Sequence, residues 1–317
     1  MSIFYFLVQQ TMFFSIPLLI VALGGMFSER SGVINIGLEG TMILGGFTGI
    51  LFISSVQHVI PGQAVLLLAV IVSAGTGIVV SLLHAYASIN MKADQIISGT
   101  AINMLAPALA IYIARMIRTV QQIPFENQFH ISKVPLLGDI PVIGPLFFSN
   151  TYLTTYLGFL ILAGAAFVLY KTRFGLRLRS CGEHPQAADS AGINVYAMRY
   201  AGVMISGALA GLGGLVFVIP TSTQFNAEVA GYGFLALAVL IFGQWKPLLI
   251  LAAAFFFGLM KAVSSSYSGI PIFASIPIPA YVYKMIPYIA TLVVLAFSSK
   301  ASQAPRAEGI PYDKGRR

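Results

Sequence analysis

The sequence predicts an all-α polytopic membrane protein of about nine transmembrane helices, within a range of about eight to ten. Three observations carry this. Of the 317 residues, 57% are hydrophobic and only 9% charged. The mean hydropathy is +0.86. The apolar residues also fall in runs of about 20, the length that crosses about 30 Å of hydrocarbon as a helix. A backbone in lipid must close its own hydrogen bonds, so these runs are expected to be helices.

In order, the candidate spans are Phe4–Phe27, Val33–Ser55, Ala64–Ala87, Ile96–Ile117, Tyr152–Tyr170, Tyr200–Ile219, Val229–Phe242, Leu248–Ser265 and Val282–Ser298. The first follows an uncharged start and lacks the basic n-region of a signal peptide, so it is expected to be retained. The sixth carries Gly202, Ser206, Ala210 and Gly214 at every fourth position, with Gly207 and Gly211 adding a GxxxG pair. That pattern predicts a smooth face packed inside the bundle. The seventh is short and glycine-broken, and is expected to enter the membrane only partly, which places backbone groups on a transport route. No internal repeat is visible. The chain is expected to be one transmembrane domain, 1–317, with an external loop 119–151, a cytoplasmic loop 171–199 and a cytoplasmic tail 299–317.

A net charge of +8 invites a nucleic-acid partner, but the charges sit in short loops beside spans, where the positive-inside rule accounts for them. Placing 171–199 in the cytoplasm leaves only Arg115, Arg118, Lys133, Lys261 and Lys284 outside or at span edges, and puts the other thirteen of the 18 Lys and Arg inside. The N-terminus is then external and the C-terminus cytoplasmic. The single cysteine, Cys181, cannot form an intramolecular disulfide and reads as a small loop residue on the reducing side. His58, His84, His130 and His184 are scattered without ligand spacing, which argues against a metal centre or a membrane-integral enzyme.

The external loop holds Pro124, Pro135, Pro141 and Pro145, which break any helix. Its apolar part is expected to lie as a cap on the outer face, either closing the outer end or receiving an extracellular partner. The connection Tyr267–Ala280, with Pro271, Pro277 and Pro279, reads the same way.

The polar island at 171–199 contains a short helix, Pro185–Ala191: Pro185 suits the first helical position and Gly192 the position just past the end. Two turns are unstable alone, so contacts must hold it, and Ala187, Ala188 and Ala191 allow a partner to approach closely. Asn194 is placed to cap the next helix.

Three segments carry a family resemblance. The run Gly175–Val195, GLRLRSCGEHPQAADSAGINV, resembles the cytoplasmic coupling segment of permease subunits of bacterial ABC importers for simple sugars and nucleosides. Ser28–Gly46, SERSGVINIGLEGTMILGG, is similar to the second-span signature of the nucleoside branch, and Gly231–Pro247 to the glycine-aromatic span of the same permeases. The sugar branch usually carries an acidic, serine-containing pattern where this chain has Asn35–Gly40. The resemblance implies a subunit of a bacterial plasma membrane that imports nucleosides, chiefly purine nucleosides. It would work beside a second permease, identical or homologous, with cytoplasmic ATP-binding subunits that hold ATP and Mg, an extracellular substrate-binding lipoprotein, and lipid around it. It also implies that Gly182, Glu183, Pro185, Ala187, Ala188, Gly192 and Ile193 sit in the ATPase cleft. No GxxxxGK[ST] phosphate loop occurs in the chain.

For the substrate route, neutral nucleosides need hydrogen bonds and aromatic faces. Glu39 stands out because an ionisable group within an apolar span is costly unless it faces a cavity or finds a partner; pairing with Arg30 is the alternative. Asn35 can line the route or cap a helix. Asn103, mid-span, either bonds a neighbouring helix or faces the pore. Gln224, Asn226 and Glu228, with Phe234 nearby, are candidates at the outer mouth. A sugar permease is the alternative within the family. An ion-coupled secondary transporter would need acidic groups within spans, and only Glu39 qualifies.

Overall fold

The computed structural model describes residues 2–60, 62–141, 143–267, 279–298 and 303–315. Each of the nine marked segments falls on a helix. They are α1 (Ser2–Arg30), α2 (Leu38–Val56), α3 (Gln63–Ala85), α4 (Gln95–Arg118), α6 (Leu153–Lys171), α9 (Val195–Thr221), α10 (Tyr232–Phe242), α11 (Pro247–Ser266) and α12 (Ala280–Ser298). Among the described residues, seven helices are long and apolar enough to cross a membrane. The short α10 is not: its 11 residues span about 16 Å. Most of the connection Tyr267–Ala280, residues 268–278, lies outside the described residues.

The centre of the bundle is α9, packed by α1, α2 and α3. The sequence of small residues explains why. A Cβ added at Gly207 would lie 2.3 Å from Ser81 Oγ, at Gly211 2.4 Å from the Ser73 carbonyl, and at Gly214 1.9 Å from the Met42 carbonyl. Backbone therefore meets backbone along this face, which is how helices gain packing energy when lipid is as apolar as their side chains. The smooth face predicted for the sixth span packs inside the subunit. A Gly214→Val substitution is expected to cost about 3 kcal/mol or more by forcing α9 off α2. A fall in thermal midpoint and folded yield of the detergent-solubilised protein is the readout.

Among the described residues, the segment 119–151 adds three short strands to an otherwise helical chain, and the α9–α10 connection a fourth. After α4, β1 (Ile123–Pro124) pairs antiparallel with β4 (Gln224–Phe225), and β2 (His130–Lys133) with β3 (Ser149–Tyr152). The five-residue α5 (Ile143–Phe147) lies between them. Buried Phe125 and Phe129 hold the loop down. Asn127 donates to the Ile219 carbonyl at 2.8 Å, and Gln9 to the Pro145 carbonyl at 2.8 Å. The loop thus packs over the ends of α1 and α9.

At the opposite face the polar island departs from expectation. Besides α8 (Pro185–Ser190) it forms a second helix, α7 (Arg173–Glu183), where the sequence pattern predicts loop. Thr172 caps it by accepting from the Gly175 amide at 3.2 Å. Its inward residues Leu178 and Cys181 are buried while Arg173 and Arg177 face out. Cys181 is therefore a packed helical residue, and burial pushes its thiol up to about 11. The α8 signals hold: Pro185 is at its first turn, Gly192 follows at φ +80, a left-handed backbone that glycine adopts without strain. Asn194 accepts from the Ala197 amide at 3.0 Å to start α9.

Candidate functional site

Three places gather the candidate residues. The first is buried at the start of α2. The chain from Val33 to Gly37, read from sequence as the beginning of a span, is not helical; the helix begins at Leu38. Irregular backbone at this depth survives only if its polar groups are satisfied by protein, and side chains from α3 and α4 do so. Gln95 accepts from the Ile34 amide at 2.7 Å, and His84 Nε2 lies 2.8 Å from the Ile34 carbonyl. Asn103 donates to the Ile36 carbonyl at 2.9 Å and accepts from the Gly40 amide at 2.7 Å. Asn35 accepts from the Gly37 amide and donates to Ser206 Oγ at 2.9 Å, turning the chain rather than capping a helix.

Glu39 completes this cluster. One carboxylate oxygen accepts from the Gly231 amide at 3.0 Å and the other from the Gly233 amide at 2.6 Å. It therefore caps α10 while standing in the first turn of its own helix. Two helix N-termini, each equivalent to about half a positive charge, converge on one carboxylate, which is why no cation is needed. Arg30 is not its partner. That guanidinium lies 3.7 Å from Glu183 and donates to the Trp245 carbonyl at 3.2 Å. The α10 N-terminus is thereby held at the level where Asn103 bonds the start of α2.

The second place is at the end of the bundle that the charge-based orientation puts outside, here the outer mouth. Gln224, Asn226 and Glu228 come together on a cavity of about 230 Å3, walled by Phe217, Phe225, Thr221 and Ser222. Phe234 is not among them. It is exposed on the other side of α10, in a groove of about 410 Å3 with Tyr288, Thr291 and Leu292.

The third is the cytoplasmic face on the charge-based orientation. Glu183, Ala187, Ala188 and Ile193 line a groove of about 460 Å3 with Arg30, Arg179, His184 and Ala191. Pro185 and Gly182 lie beneath, buried; Gly192 is exposed at the end of α8.

The tail is a structural part of this face, which the sequence reading gave only as a cytoplasmic end. The Ala307 amide donates to the Gly182 carbonyl at 2.8 Å and the Gly309 amide to the Gly32 carbonyl at 3.2 Å. Arg199 donates to the Ile310 carbonyl at 3.0 Å, the Gln303 amide to Gln244 Oε1 at 3.0 Å, and Lys92 pairs with Asp313 at 3.1 Å. Residues 303–313 thus strap α7 to the α1–α2 turn, the base of α9 and the α10–α11 turn. Nothing in composition marks such a strap, because most of its partners lie more than a hundred residues away.

Under the strap, burial pushes the Glu308 carboxyl up to about 7, where it shares a hydrogen bond with Glu29 and faces Arg30. A carboxyl raised from its ordinary 4.5 holds its proton in the folded state when the unfolded chain has lost it, so stability falls as pH rises from about 4.5 to 7. Replacing Glu308 by Gln is expected to flatten the fall in thermal midpoint between pH 5 and pH 8, roughly the window set by this shift. Melting curves across that range test this.

Over residues 7–295 the chain matches the family described as branched-chain amino acid transport system / permease component. The chain belongs to this permease family. The guanosine ABC transporter permease protein NupQ of Bacillus subtilis is 46% identical over 314 residues, covering 98% of this chain and 97% of that protein. The nucleoside ABC transporter permease protein NupC of Lactococcus lactis is 41% identical over 311 residues, covering 98% and 97%. The putative glucose ABC transporter permease protein TsgC13 of Haloferax volcanii is 28% identical, covering 91% and 90%. As a permease of this family the chain is a membrane protein and a transport component, which agrees with its apolar helices and with the resemblance read in Ser28–Gly46 and Gly175–Val195.

Proposed function

We propose that this chain is the membrane-spanning permease subunit of an ABC importer that carries nucleosides, chiefly purine nucleosides, into a bacterial cell. The end-to-end identity to two nucleoside permeases, at 46% and 41% against 28% for a glucose permease, carries the reading. The chain is no enzyme: ATP, with Mg, is hydrolysed on a partner ATP-binding subunit. A second permease and an extracellular substrate-binding lipoprotein complete the importer.

In this reading the ATP-binding subunit seats on α8, with Ala187 and Ala188 facing its cleft. Glu183 passes the motion to Arg30, and Gly182 passes it to the strap, so closure of the ATPase pair turns α1, α9 and the base of α10 together. Rigid-body rocking of packed helices suffices for that transmission. The nucleoside enters past Gln224, Asn226 and Glu228 and moves along α10 beside Phe234. Asn35, Glu39 and Asn103 hold the α10 N-terminus in place for it.

The test is uptake of radiolabelled guanosine, adenosine, uridine and ribose by cells with and without this chain. Loss of nucleoside uptake on deletion, restored by the chain, supports the reading. Loss of ribose uptake only would overturn the substrate class and keep the permease; ATP-independent uptake driven by an ion gradient would overturn the mechanism.

A further inference from the structure

Lys261 stands about 21 Å along α11, a helix of about 30 Å. It lies about 8 Å short of the C-terminal end of α11, and an ionisable group within an apolar span is costly and usually marks a functional group. Among the described residues no carboxylate is within ion-pair distance of it; the ion pairs are Arg30 with Glu183, Lys92 with Asp313 and Lys133 with Asp139. What it does meet is the ring face of Tyr232, 5.6 Å from the centroid, within cation–π range.

Tyr232 carries the second observation. Its side chain is 1% exposed, and its hydroxyl has no hydrogen-bond partner among the described residues. Buried hydroxyls are almost always paired. A phenol without a hydrogen-bond partner beside an ammonium without a carboxylate, among the described residues, is a polar deficiency inside a membrane protein.

The pair is also rigidly placed. Tyr232 is the first residue of α10, between the two amides that Glu39 binds. Its ring packs on Phe217 with centroids 4.2 Å apart, and Phe217 is a wall of the outer-mouth cavity. Tyr232 thus links the ammonium to the wall of that cavity.

We infer that Lys261, oriented by Tyr232, is a specificity-determining residue of the membrane route and binds the acceptor edge of a 6-oxopurine nucleoside. An ammonium only donates. A 6-oxopurine offers O6 and N7 as adjacent acceptors, whereas adenine offers N7 beside an amino donor, which opposes a cation. A water-poor site built to hydrogen-bond one group rejects analogues that leave its polar atoms unpaired. The inference rests on the nucleoside reading and narrows it to guanosine-like and inosine-like bases.

The experiment measures uptake kinetics in cells expressing the complete importer, for guanosine, inosine and adenosine, with permease levels and co-purification of the ATP-binding subunit checked for each variant. The Lys261→Met variant is expected to raise KM for guanosine and inosine about tenfold or more while changing KM for adenosine by less than about twofold. Lys261→Arg, which keeps the charge and donors, is expected to keep the preference. Unchanged guanosine kinetics in Lys261→Met overturn the inference and leave a snorkelling lysine. An equal loss for all three nucleosides also overturns it, as a structural effect. A wild-type importer that moves no nucleoside sinks the underlying functional reading, an outcome visible before any variant is made.

Discussion

Replacing Ala187 by Glu is expected to reduce ATP-driven uptake at least about tenfold while the protein still folds and inserts, because buried interface positions tolerate added charge poorly. Ala187 is exposed, so the isolated permease loses no packing. Its methyl group lines the groove formed with Ala188 and Ala191, where small side chains leave room for a protein surface. A carboxylate there fills the groove and adds a charge beside Glu183, with no cation in α8 to match it. Adding Ala188→Glu deepens the effect, since Ala188 is only 4% exposed and a carboxylate in its place must be driven out of the packing. Uptake assays together with co-purification of the ATP-binding subunit read the result. Normal uptake with normal association would show that α8 is not the docking element.

Replacing Glu39 by Ala is expected to destabilise the protein by about 3 to 5 kcal/mol, because two charge-assisted hydrogen bonds and the compensation of two helix ends vanish together. Gln at this position is expected to fall between. It keeps one acceptor and places an amide N–H2 against the second backbone donor. Thermal midpoints in detergent measure the loss, and uptake is expected to fall with it because α10 loses its fixed N-terminus. An ion-coupled transporter predicts the opposite signature for Glu39→Gln: full stability with lost coupling.

Much of the fold was legible because lipid leaves few choices. The nine apolar runs had to be helices, the small-residue face of α9 had to pack closely, and Pro185, Gly192 and Asn194 marked the ends of α8 and the start of α9 by local backbone chemistry. Where long-range partners decide, the sequence was silent. Val33–Gly37 looks like span because its residues are apolar; it is unwound because Gln95, His84 and Asn103, all from later in the chain, satisfy its backbone. Likewise Glu39 announced itself as an anomaly, but its partners are amides near residue 232, and backbone amides leave no trace in a side-chain pattern. The helix α7 was hidden by its basic surface, which reads equally well as solvated loop until Leu178 and Cys181 are seen to face inward.

The strap at 303–313 has a consequence for how this region can drift over evolutionary time. At Gln303, Ala307, Gly309 and Ile310 it is the main chain that donates or accepts. Side chains at Gln303 and Ile310, both exposed, are therefore nearly free to change so long as the path of the chain is kept, while Gly309, at φ +75, and buried Ala307 are held small. Related chains can preserve the same fastening with few shared letters, and a search for invariant residues would pass over one of the best-tied segments of the cytoplasmic face.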